Sequence, residues 1–351
     1  MIRRKMITRL GLAIAFALAT PVAFAQDIHF TQFDMQPLVT NPAFTGMFDG
    51  RVRVAGIYRN QWASVTIPYV TFGASVDMPI VIERNGDYLA GGLQLYKDQA
   101  GDGNLSNFTG LASIAYHKFF GQTEHGGSDL AVGLQGGYCQ KSIDLSRLYF
   151  GDEFLNGAFS QGISKEYTLG IGNSVNYYLV NAGVSFSQSA SDKFGYTLGV
   201  AANNINQPND AIEKKQTSNN TLDMRYTAEI GANWLAGERL SLRPAVLYQS
   251  QATASEIIVG NEFHYAVGNN PGFENFSTAV FLGGWFRTGD ATMITAGVEF
   301  KGFRIGVAYD YNISTLNTSS NGNGGFELAI RYIAPNPIRF ANKRTIPCAR
   351  F

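Results

Sequence analysis

Histidine is the side chain that most often supplies a general base near neutral pH, and the sequence contains four of them, His29, His117, His125 and His264. A hydrolase needs a nucleophile beside such a base and a third group that orients it. None of the four accompanies a serine in a recognisable pattern. The sequence therefore predicts no catalytic residue and no enzyme, and the histidines are expected to fill hydrogen-bonded positions in the fold.

Metal binding is a second chemistry to consider. Asp98, Asp102 and Asn104 offer oxygen ligands for calcium, but their spacing is not that of an EF-hand, and an ordinary hairpin turn is the favoured interpretation. Cys139 and Cys348 are the only cysteines, which excludes a zinc site of four thiolates. Two free thiols are favoured over a bridge. We expect no metal and no cofactor.

Alternation of apolar and polar residues recurs along the chain, for example over 70–78, 225–234 and 303–311. A period of two predicts β-strands. The apolar faces are about nine or ten residues long, which is the span of a tilted transmembrane strand. Many of them end in an aromatic residue, as in the girdles at the two lipid interfaces: Tyr58, Tyr69, Tyr116, Tyr138, Trp234, Tyr248, Tyr265, Tyr311 and Tyr332. The opposite faces are polar, which favours an enclosed polar lumen over a dry sandwich core.

The predicted fold is all-β, a transmembrane antiparallel β-barrel of the outer-membrane type with about 14 strands. The strands are predicted near 50–58, 69–78, 89–97, 107–118, 129–141, 174–187, 195–205, 225–235, 240–250, 255–265, 277–287, 291–300, 303–311 and 325–333. An even number of strands places both termini on the periplasmic side, so the odd-numbered connections face outward. The longest of these connections are 142–173 and 206–224.

The N-terminus has the features of a secretory signal peptide over residues 1–25. Four basic residues flank or precede the apolar run 10–19, and Ala23-Phe24-Ala25 follows as a cleavage site. Cleavage would leave Gln26 as the first residue and a net charge of −4, since four positive and no negative charges are removed. No basic stripe with interleaved aromatic residues appears, so nucleic acid is not an expected partner.

Three further regions follow the signal peptide. Residues 26–49 are either a plug inside the barrel or an ordered periplasmic lead-in, and Pro37 and Pro42 prevent a continuous helix there. Residues 50–333 form the barrel. Residues 334–351 form a basic tail that we expect in the periplasm, where it binds an acidic protein surface or anionic headgroups.

Charges of both signs are expected in the lumen. They are Arg225, Glu229, Arg243, Glu299, Arg304, Asp310, Glu327 and Arg331. Those on the last three strands could pair with one another and rigidify the barrel or hold the plug. Mixed signs argue against a pore that selects ions of one charge.

Several motifs together resemble the PorP/SprF family of outer-membrane proteins. The matching segments are Gln26-Asp27 with Phe30-x-Gln32-Phe33, Asn41-Pro42-Ala43-Phe44-x-Gly46, Tyr58-Arg59-Asn60-Gln61-Trp62, Leu148-Tyr149-Phe150-Gly151-Asp152, Asn206-Gln207-Pro208-Asn209 and Ala308-Tyr309-Asp310-Tyr311-Asn312. The chain departs from the family pattern at Ala349, where a proline usually follows the terminal cysteine, and at Gly324-Gly325-Phe326-Glu327.

The resemblance implies a non-enzymatic component of the type IX secretion and gliding machinery. Such a protein would hold secreted adhesin-like proteins at the cell surface and connect to periplasmic ring proteins. A plugged outer-membrane channel for small hydrophobic solutes is the alternative. A continuous apolar groove in the lumen would favour transport, and a closed polar interior would favour the scaffold.

The two long outer loops are the expected adhesin-binding surface, because long loops without a pattern of their own are usually functional or disordered. The first loop is rich in aromatic residues that lie outside any strand alternation. These residues would either meet a partner or fold into the barrel mouth as a lid. The expected partner-binding residues of the loops are Leu148, Tyr149, Phe150, Gly151, Asp152, Phe154, Gln207 and Pro208. Those of the tail are Arg339, Lys343, Arg344 and Arg350.

Overall fold

The structure is a computed structural model that describes residues 29–65, 67–82, 86–123, 126–155, 158–167, 173–212, 221–267, 278–315 and 317–335. Strands dominate these residues. The strands of the first half are β1 (Val52–Gln61), β2 (Tyr69–Ile82), β3 (Tyr88–Ala100), β4 (Leu105–Thr123), β5 (Gly126–Ser142), β6 (Phe154–Leu155), β7 (Ala158–Phe159) and β8 (Ser174–Ser191). Those of the second half are β9 (Phe194–Asn203), β10 (Arg225–Leu235), β11 (Leu240–Gln251), β12 (Ala254–Ala266), β13 (Ala279–Arg287), β14 (Ala291–Phe300), β15 (Phe303–Asn312) and β16 (Asn323–Ala334).

Fourteen of these strands form one closed antiparallel barrel, in which β1 pairs with both β2 and β16. The predicted barrel of about 14 strands is therefore confirmed. Strands β6 and β7 form a separate two-stranded hairpin in the connection between β5 and β8. We call the end of the barrel that carries the long connections 143–173 and 204–224 the outer end, and the opposite end the inner end.

Each strand turns alternate residues to the two sides of the wall, as β10 illustrates. Tyr226, Ile230 and Trp234 are exposed on the outside, whereas Arg225 and Glu229 are buried in the interior. This pattern places apolar side chains against lipid and polar side chains in the lumen. Aromatic residues also meet at the inner rim of the outside wall, where the rings of Phe120 and Phe186 are 6.2 Å apart.

Helical structure is short and irregular. Three single turns, Phe33–Met35, Pro37–Thr40 and Pro42–Phe44, follow one another in the segment that precedes β1. Almost every residue from Phe30 to Phe48 is buried, and the segment contacts inward-facing side chains of the barrel. In the described part of the chain no helix has the length and apolar character needed to cross a membrane.

Candidate functional site

The outer connection between β5 and β8 is a folded structure with a buried carboxylate at its base. Glu153 is fully buried, and its carboxylate accepts hydrogen bonds from the N–H groups of Phe150 (3.0 Å) and Gly162 (2.6 Å). Its carbonyl accepts a third from the N–H of Ser160 at 2.8 Å. The bonds from Gly162 and Ser160 join the two sides of the β6–β7 hairpin at its base, because they link Glu153 before the hairpin to residues after it.

A cluster of aromatic side chains lies on this hairpin, and we call Tyr149, Phe154 and Phe159 the aromatic patch. The Phe159 ring lies 5.0 Å from Phe154 and 5.4 Å from Tyr149. Exposed fractions are 64% for Tyr149, 53% for Phe154 and 54% for Phe159. Leu155, on the other face of β6, is also exposed. Apolar side chains on both faces of a fixed hairpin are a feature of protein-binding surfaces.

The other predicted residues of this loop support the hairpin rather than belonging to the patch. Leu148 is half-buried beside Gly103 in the β3–β4 turn. Phe150 is half-buried, with its ring 5.5 Å from Tyr167. Gly151 is exposed, with open space around its α-carbon.

Asp152 fixes the end of the loop. Its carboxylate accepts a hydrogen bond from the N–H of Lys165 at 2.9 Å. That bond, together with one from the Ser164 hydroxyl, holds the pKa of Asp152 below its ordinary value. The Asp152 carboxylate is therefore ionised when the loop is folded near neutral pH.

The second long outer connection, between β9 and β10, folds toward the barrel mouth. Leu222 packs on Leu111 and Leu179, which face the interior. Asp210 forms an ion pair with Lys141 of β5, with 2.9 Å between Oδ2 and Nζ. These contacts hold the described part of the second loop against β4, β5 and β8.

Gln207 and Pro208 lie on the rim of this second loop. Gln207 is exposed and has a positive φ of 40°. The Pro208 carbonyl accepts a hydrogen bond from the N–H of Leu222 at 2.8 Å. Both residues shape the loop, and neither contact identifies a binding role.

The segment 29–49 lies inside the barrel, and a network of buried charges holds it near the outer end. Glu327 accepts hydrogen bonds from the N–H groups of Thr31 (2.7 Å) and Gln32 (3.0 Å). The Arg59 guanidinium pairs with Glu327 and, at 2.9 Å, with Asp310. The Thr31 hydroxyl donates to Asp310 at 2.6 Å. We call this group the outer charge cluster.

A second charge cluster lies nearer the inner end. Arg304 pairs with Asp34 of the segment at 2.8 Å and with Glu262 of β12 at 2.6 Å. Glu299 pairs with Arg243 at 3.1 Å. The outer cluster is buried, and the side chains of the second cluster are at most 16% exposed, so their charges are balanced mainly within the lumen.

The inner end of the segment is held through its backbone. Arg53 donates to the Phe44 carbonyl at 2.9 Å and pairs with Asp77 at 2.7 Å. Asp77 in turn accepts the Gly46 N–H at 2.7 Å. His117, which is fully buried, contacts the Thr45 carbonyl at 2.8 Å.

Glycines of the wall make room for the segment at mid-height. A Cβ atom on Gly133 would lie 2.4 Å from Ala43 N, and one on Gly183 would lie 2.0 Å from Asn41 Oδ1. The two glycines are register partners on β5 and β8. Any side chain at these positions would overlap the segment, so close backbone contact requires glycine here.

The charge partners were only partly predictable. Glu299 and Arg304 lie 3.8 Å apart, as the sequence suggested. The main partner of Asp310 and Glu327 is Arg59 on β1, a residue that sequence reasoning placed only in a family motif. Arg59 occupies an inward-facing position of β1, and β1 pairs with β16 when the barrel closes. Together, these two features could have predicted the pairing.

Among the described residues, those considered for metal binding, thiol chemistry or general-base catalysis have structural contacts. Asp98 accepts the Thr71 hydroxyl at 2.6 Å, and Asn104 has a turn-type φ of 50°. Buried Cys139 accepts a hydrogen bond from the Thr109 hydroxyl at 3.2 Å. His264 is buried and contacts Glu262 at 2.9 Å. No group of three or more His, Cys, Asp or Glu residues able to hold a metal ion occurs in the described ranges.

Several predictions fall outside the described residues. They concern His125, Cys348 and the signal peptide, together with the tail residues Arg339, Lys343, Arg344 and Arg350.

The closed barrel with long outer loops and inward polar residues agrees with a match to a family model. The model for the type IX secretion system membrane protein PorP/SprF matches residues 22–332. The chain belongs to the PorP/SprF family. As a PorP/SprF protein, it is a membrane component associated with type IX secretion, and its barrel is of the outer-membrane type.

Solved structures similar to this PorP/SprF chain are outer-membrane barrels. The toluene transporter TbuX of Ralstonia pickettii has a TM-score of 0.45 and 11% identity, covering 86% of this chain and 93% of that chain. The toluene transporter TodX of Pseudomonas putida has a TM-score of 0.45 and 10% identity, covering 87% and 94%. The CymD monoaromatic hydrocarbon channel has a TM-score of 0.44 and 10% identity, covering 86% and 93%. This similarity concerns the barrel fold alone. No curated protein matches the chain.

Proposed function

We propose that the protein is a closed, non-enzymatic platform in the outer membrane that holds a secreted adhesin-like protein at the cell surface. The observation that carries the proposal is the aromatic patch, three contacting rings that are each more than half exposed on a hydrogen-bonded hairpin. Water penalises such exposure of apolar area, and contact with a protein partner removes the penalty.

The exposure of the rings favours a partner surface over a lid. A lid would bury the rings against the barrel mouth, whereas the part of the mouth near Leu111 and Leu179 is covered by Leu222 of the second loop. The rings of the patch are therefore exposed and accessible to a partner. Aromatic residues are also the side chains that most often dominate binding energy at protein interfaces.

The interior supports a scaffold over a channel for hydrophobic solutes. Buried apolar residues of the wall, such as Leu247, Ile258 and Trp285, pack on Phe33 of the inner segment. A second group, Ile57 and Ala329, packs on Phe30 and Met35. Because the segment covers these groups and is held by ion pairs, the described lumen offers no continuous apolar groove.

The test is removal of the aromatic patch. In the native bacterium, the variant Tyr149→Ser/Phe154→Ser/Phe159→Ser should lower the amount of adhesin-like protein on the cell surface at least tenfold and raise it in the medium. Glu153 and its hydrogen bonds are retained, so the hairpin base should stay folded. Quantitative immunoblotting of cell and medium fractions measures the distribution.

The matched control removes apolar side chains from a different outer connection. Val65 and Ile67 are exposed between β1 and β2, and Val65→Ser/Ile67→Ser should retain normal surface levels. Both variants should keep the heat-modifiable migration of a folded barrel. Normal retention by a folded patch variant would contradict the proposal.

On the periplasmic side, we propose that the basic tail 334–351 contacts ring proteins of the secretion apparatus. The tail carries Arg339, Lys343, Arg344 and Arg350 with no acidic residue, which suits an acidic surface. Deletion of 340–351 should abolish co-purification of periplasmic proteins with the barrel. Unchanged co-purification would exclude this role and leave binding to anionic headgroups.

We also propose that the signal peptide is cleaved after Ala25, as the Ala23-Phe24-Ala25 sequence indicates. An intact mass of the purified protein that includes residues before Gln26 would contradict cleavage at this site.

A further inference from the structure

The outer part of β8 has a neighbouring strand on one side only. β8 pairs with β5 as far as Ser174, its first residue. Its pairing with β9 stops earlier, at Ala182. Residues 174–181 therefore extend toward the outer end beyond the last pair with β9, and this part of β8 is an edge of the sheet.

The stretch that follows β9 covers the first part of this edge. The Ile205 N–H donates to the Val180 carbonyl at 2.9 Å. The Asn206 side chain then accepts the Val180 N–H at 3.0 Å and donates to the Tyr178 carbonyl at 2.8 Å. Its amide thus makes the two contacts that the main chain of a neighbouring strand would make. The chain then turns at Gln207, which has a positive φ of 40°, and the described residues of this loop bond to β8 no further.

The hydrogen bonds of β8 show which main-chain groups beyond Asn206 point outward from the sheet edge. Successive residues of a strand direct their N–H and C=O groups to opposite sides. Asn173 is directed to β5, because its carbonyl accepts a hydrogen bond from the first residue after β5 at 2.9 Å. Tyr178 is directed away from β5. Ser174 and Asn176 are therefore also directed away from β5, and no main-chain bond joins them to another described residue on that side. We call residues 174–178 the open edge.

The open edge lies at the outer boundary of the membrane. Phe186 of β8 belongs to the aromatic residues at the inner rim, and Tyr178 follows it eight positions away along β8. In a tilted strand this separation corresponds to about 20 Å along the barrel axis, close to the apolar band of about 25 Å. Tyr178, which is 71% exposed, thus lies at the outer interface, and the rest of the open edge extends above it.

We propose that the open edge binds an extended segment of the secreted partner by β-strand addition. An extended polypeptide is the ligand class that fits, because it presents N–H and C=O groups at the same spacing as the edge. The Asn206 amide makes contacts of this kind at the adjacent position. A strand added beyond Asn206 would continue the course of β9, and one of its side chains would lie beside the Tyr178 ring. The inference rests on the proposed function for the identity of the partner as a secreted protein.

This mode of binding divides the work between two parts of the outer surface. Main-chain hydrogen bonds do not distinguish side chains, so the open edge would supply affinity for segments of different sequence. The aromatic patch, which contacts side chains, would supply the selectivity.

The test removes one N–H group from the open edge. Proline is tolerated at an edge position whose N–H faces solvent, and it can neither donate to an added strand nor leave room for one beside its ring. In the native bacterium, Asn176→Pro should lower the adhesin-like protein on the cell surface by about fivefold or more and raise it in the medium. Immunoblotting of the two fractions measures this, as for the aromatic patch.

The matched control is Asn176→Ala, which removes the side chain and keeps the N–H. It should retain normal surface levels, and both variants should keep heat-modifiable migration. Loss of the adhesin-like protein in Asn176→Ala as well would assign the contact to the side chain and overturn the inference. Normal retention by a folded Asn176→Pro barrel would overturn it too, and loss in the aromatic patch variant would then leave the proposed function standing. Loss in Asn176→Pro with normal retention in the patch variant would support the open edge and contradict the patch.

Hydrogen exchange of the purified wild-type protein tests the edge without any variant that has to fold. The amides of Ser174 and Asn176 should exchange at least about a hundredfold faster than those of Val175 and Tyr177, which are directed to β5. Similar protection of all four amides would mean that the edge is already covered in the protein alone, and it would overturn the inference.

Discussion

At the scale of single residues, Glu327 is a junction between the wall and the inner segment. Its carboxylate contacts the Arg59 guanidinium and also accepts the N–H groups of Thr31 and Gln32. Burying a charge is costly unless it is paired and hydrogen-bonded, and this carboxylate satisfies both conditions. One side chain therefore stabilises the closure between β1 and β16 and the outer part of the segment together.

Removal of this carboxylate should destabilise the barrel strongly. In Glu327→Ala the Arg59 guanidinium keeps Asp310 but loses its second partner, and two N–H groups lose their acceptor. We expect a loss of about 3–5 kcal/mol in the free energy of unfolding, measured by urea unfolding in lipid vesicles. Glu238→Ala, in the exposed β10–β11 turn, should change it by less than about 0.5 kcal/mol. Equal unfolding midpoints for the two variants would contradict this role.

At the scale of elements, the strands were predictable, whereas the sequence left the N-terminal segment as either a plug or a periplasmic lead-in. Strands such as β10 and β15 show their alternation within ten or so residues, and the two sides of the wall follow from it. The segment 30–48 has no such period, because its environment is created by strands that lie far away in sequence. Gly133 and Gly183 looked like ordinary strand glycines, and their role emerges only when the segment lies against them.

The hairpin of the first outer loop was also beyond sequence reasoning. The sequence marked its aromatic residues, but nothing local indicated that Glu153 would be buried and would bond both sides of the hairpin base. The aromatic patch and its support are therefore separable. The aromatic residues of the patch can be recognised from the sequence alone. The hydrogen bonds of Glu153 that support them depend on the fold of the whole loop.

Acid should loosen the end of this loop through Asp152. Its pKa is held low by the hydrogen bonds from Lys165 N–H and Ser164, so the folded loop favours the ionised form. The resulting stabilisation is present above the ordinary value of 3.8 and is lost as the pH falls through the lower pKa of the folded loop.

Hydrogen exchange can measure this effect. The protection of the Lys165 amide, corrected for intrinsic exchange rates, should be constant from pH 7 to pH 5 and should fall below about pH 3.8. Asp152→Asn should show low protection at every pH. Equal protection of the wild type and this variant at pH 7 would mean that the carboxylate does not hold the loop.

At the scale of the whole molecule, a barrel of 14 strands lies between filled eight-stranded barrels and open sixteen-stranded porins. Here the interior is occupied by the chain's own N-terminal segment. This segment contacts β1, β4, β5, β8 and β16. The outer surface carries the aromatic patch, and the wall faces lipid. A closed interior is consistent with a protein whose partners meet its ends and not its lumen.

Closure of the lumen should depend on how closely the segment 30–48 packs against the wall glycines Gly133 and Gly183. Purified wild-type protein in planar bilayers should show no steady ion conductance, and deletion of 30–48 should open a stable pore if the barrel still folds.

Gly133→Leu is the sharper probe, because a Cβ there would lie 2.4 Å from Ala43 N and 2.5 Å from the Pro42 carbonyl oxygen. The leucine should displace the segment and produce conductance in a folded barrel. Gly284→Leu is the matched control, since a Cβ at Gly284 has no atom within 4 Å, and it should stay closed. Steady conductance in the wild type, or a folded and closed Gly133→Leu barrel, would show that this seating does not close the lumen.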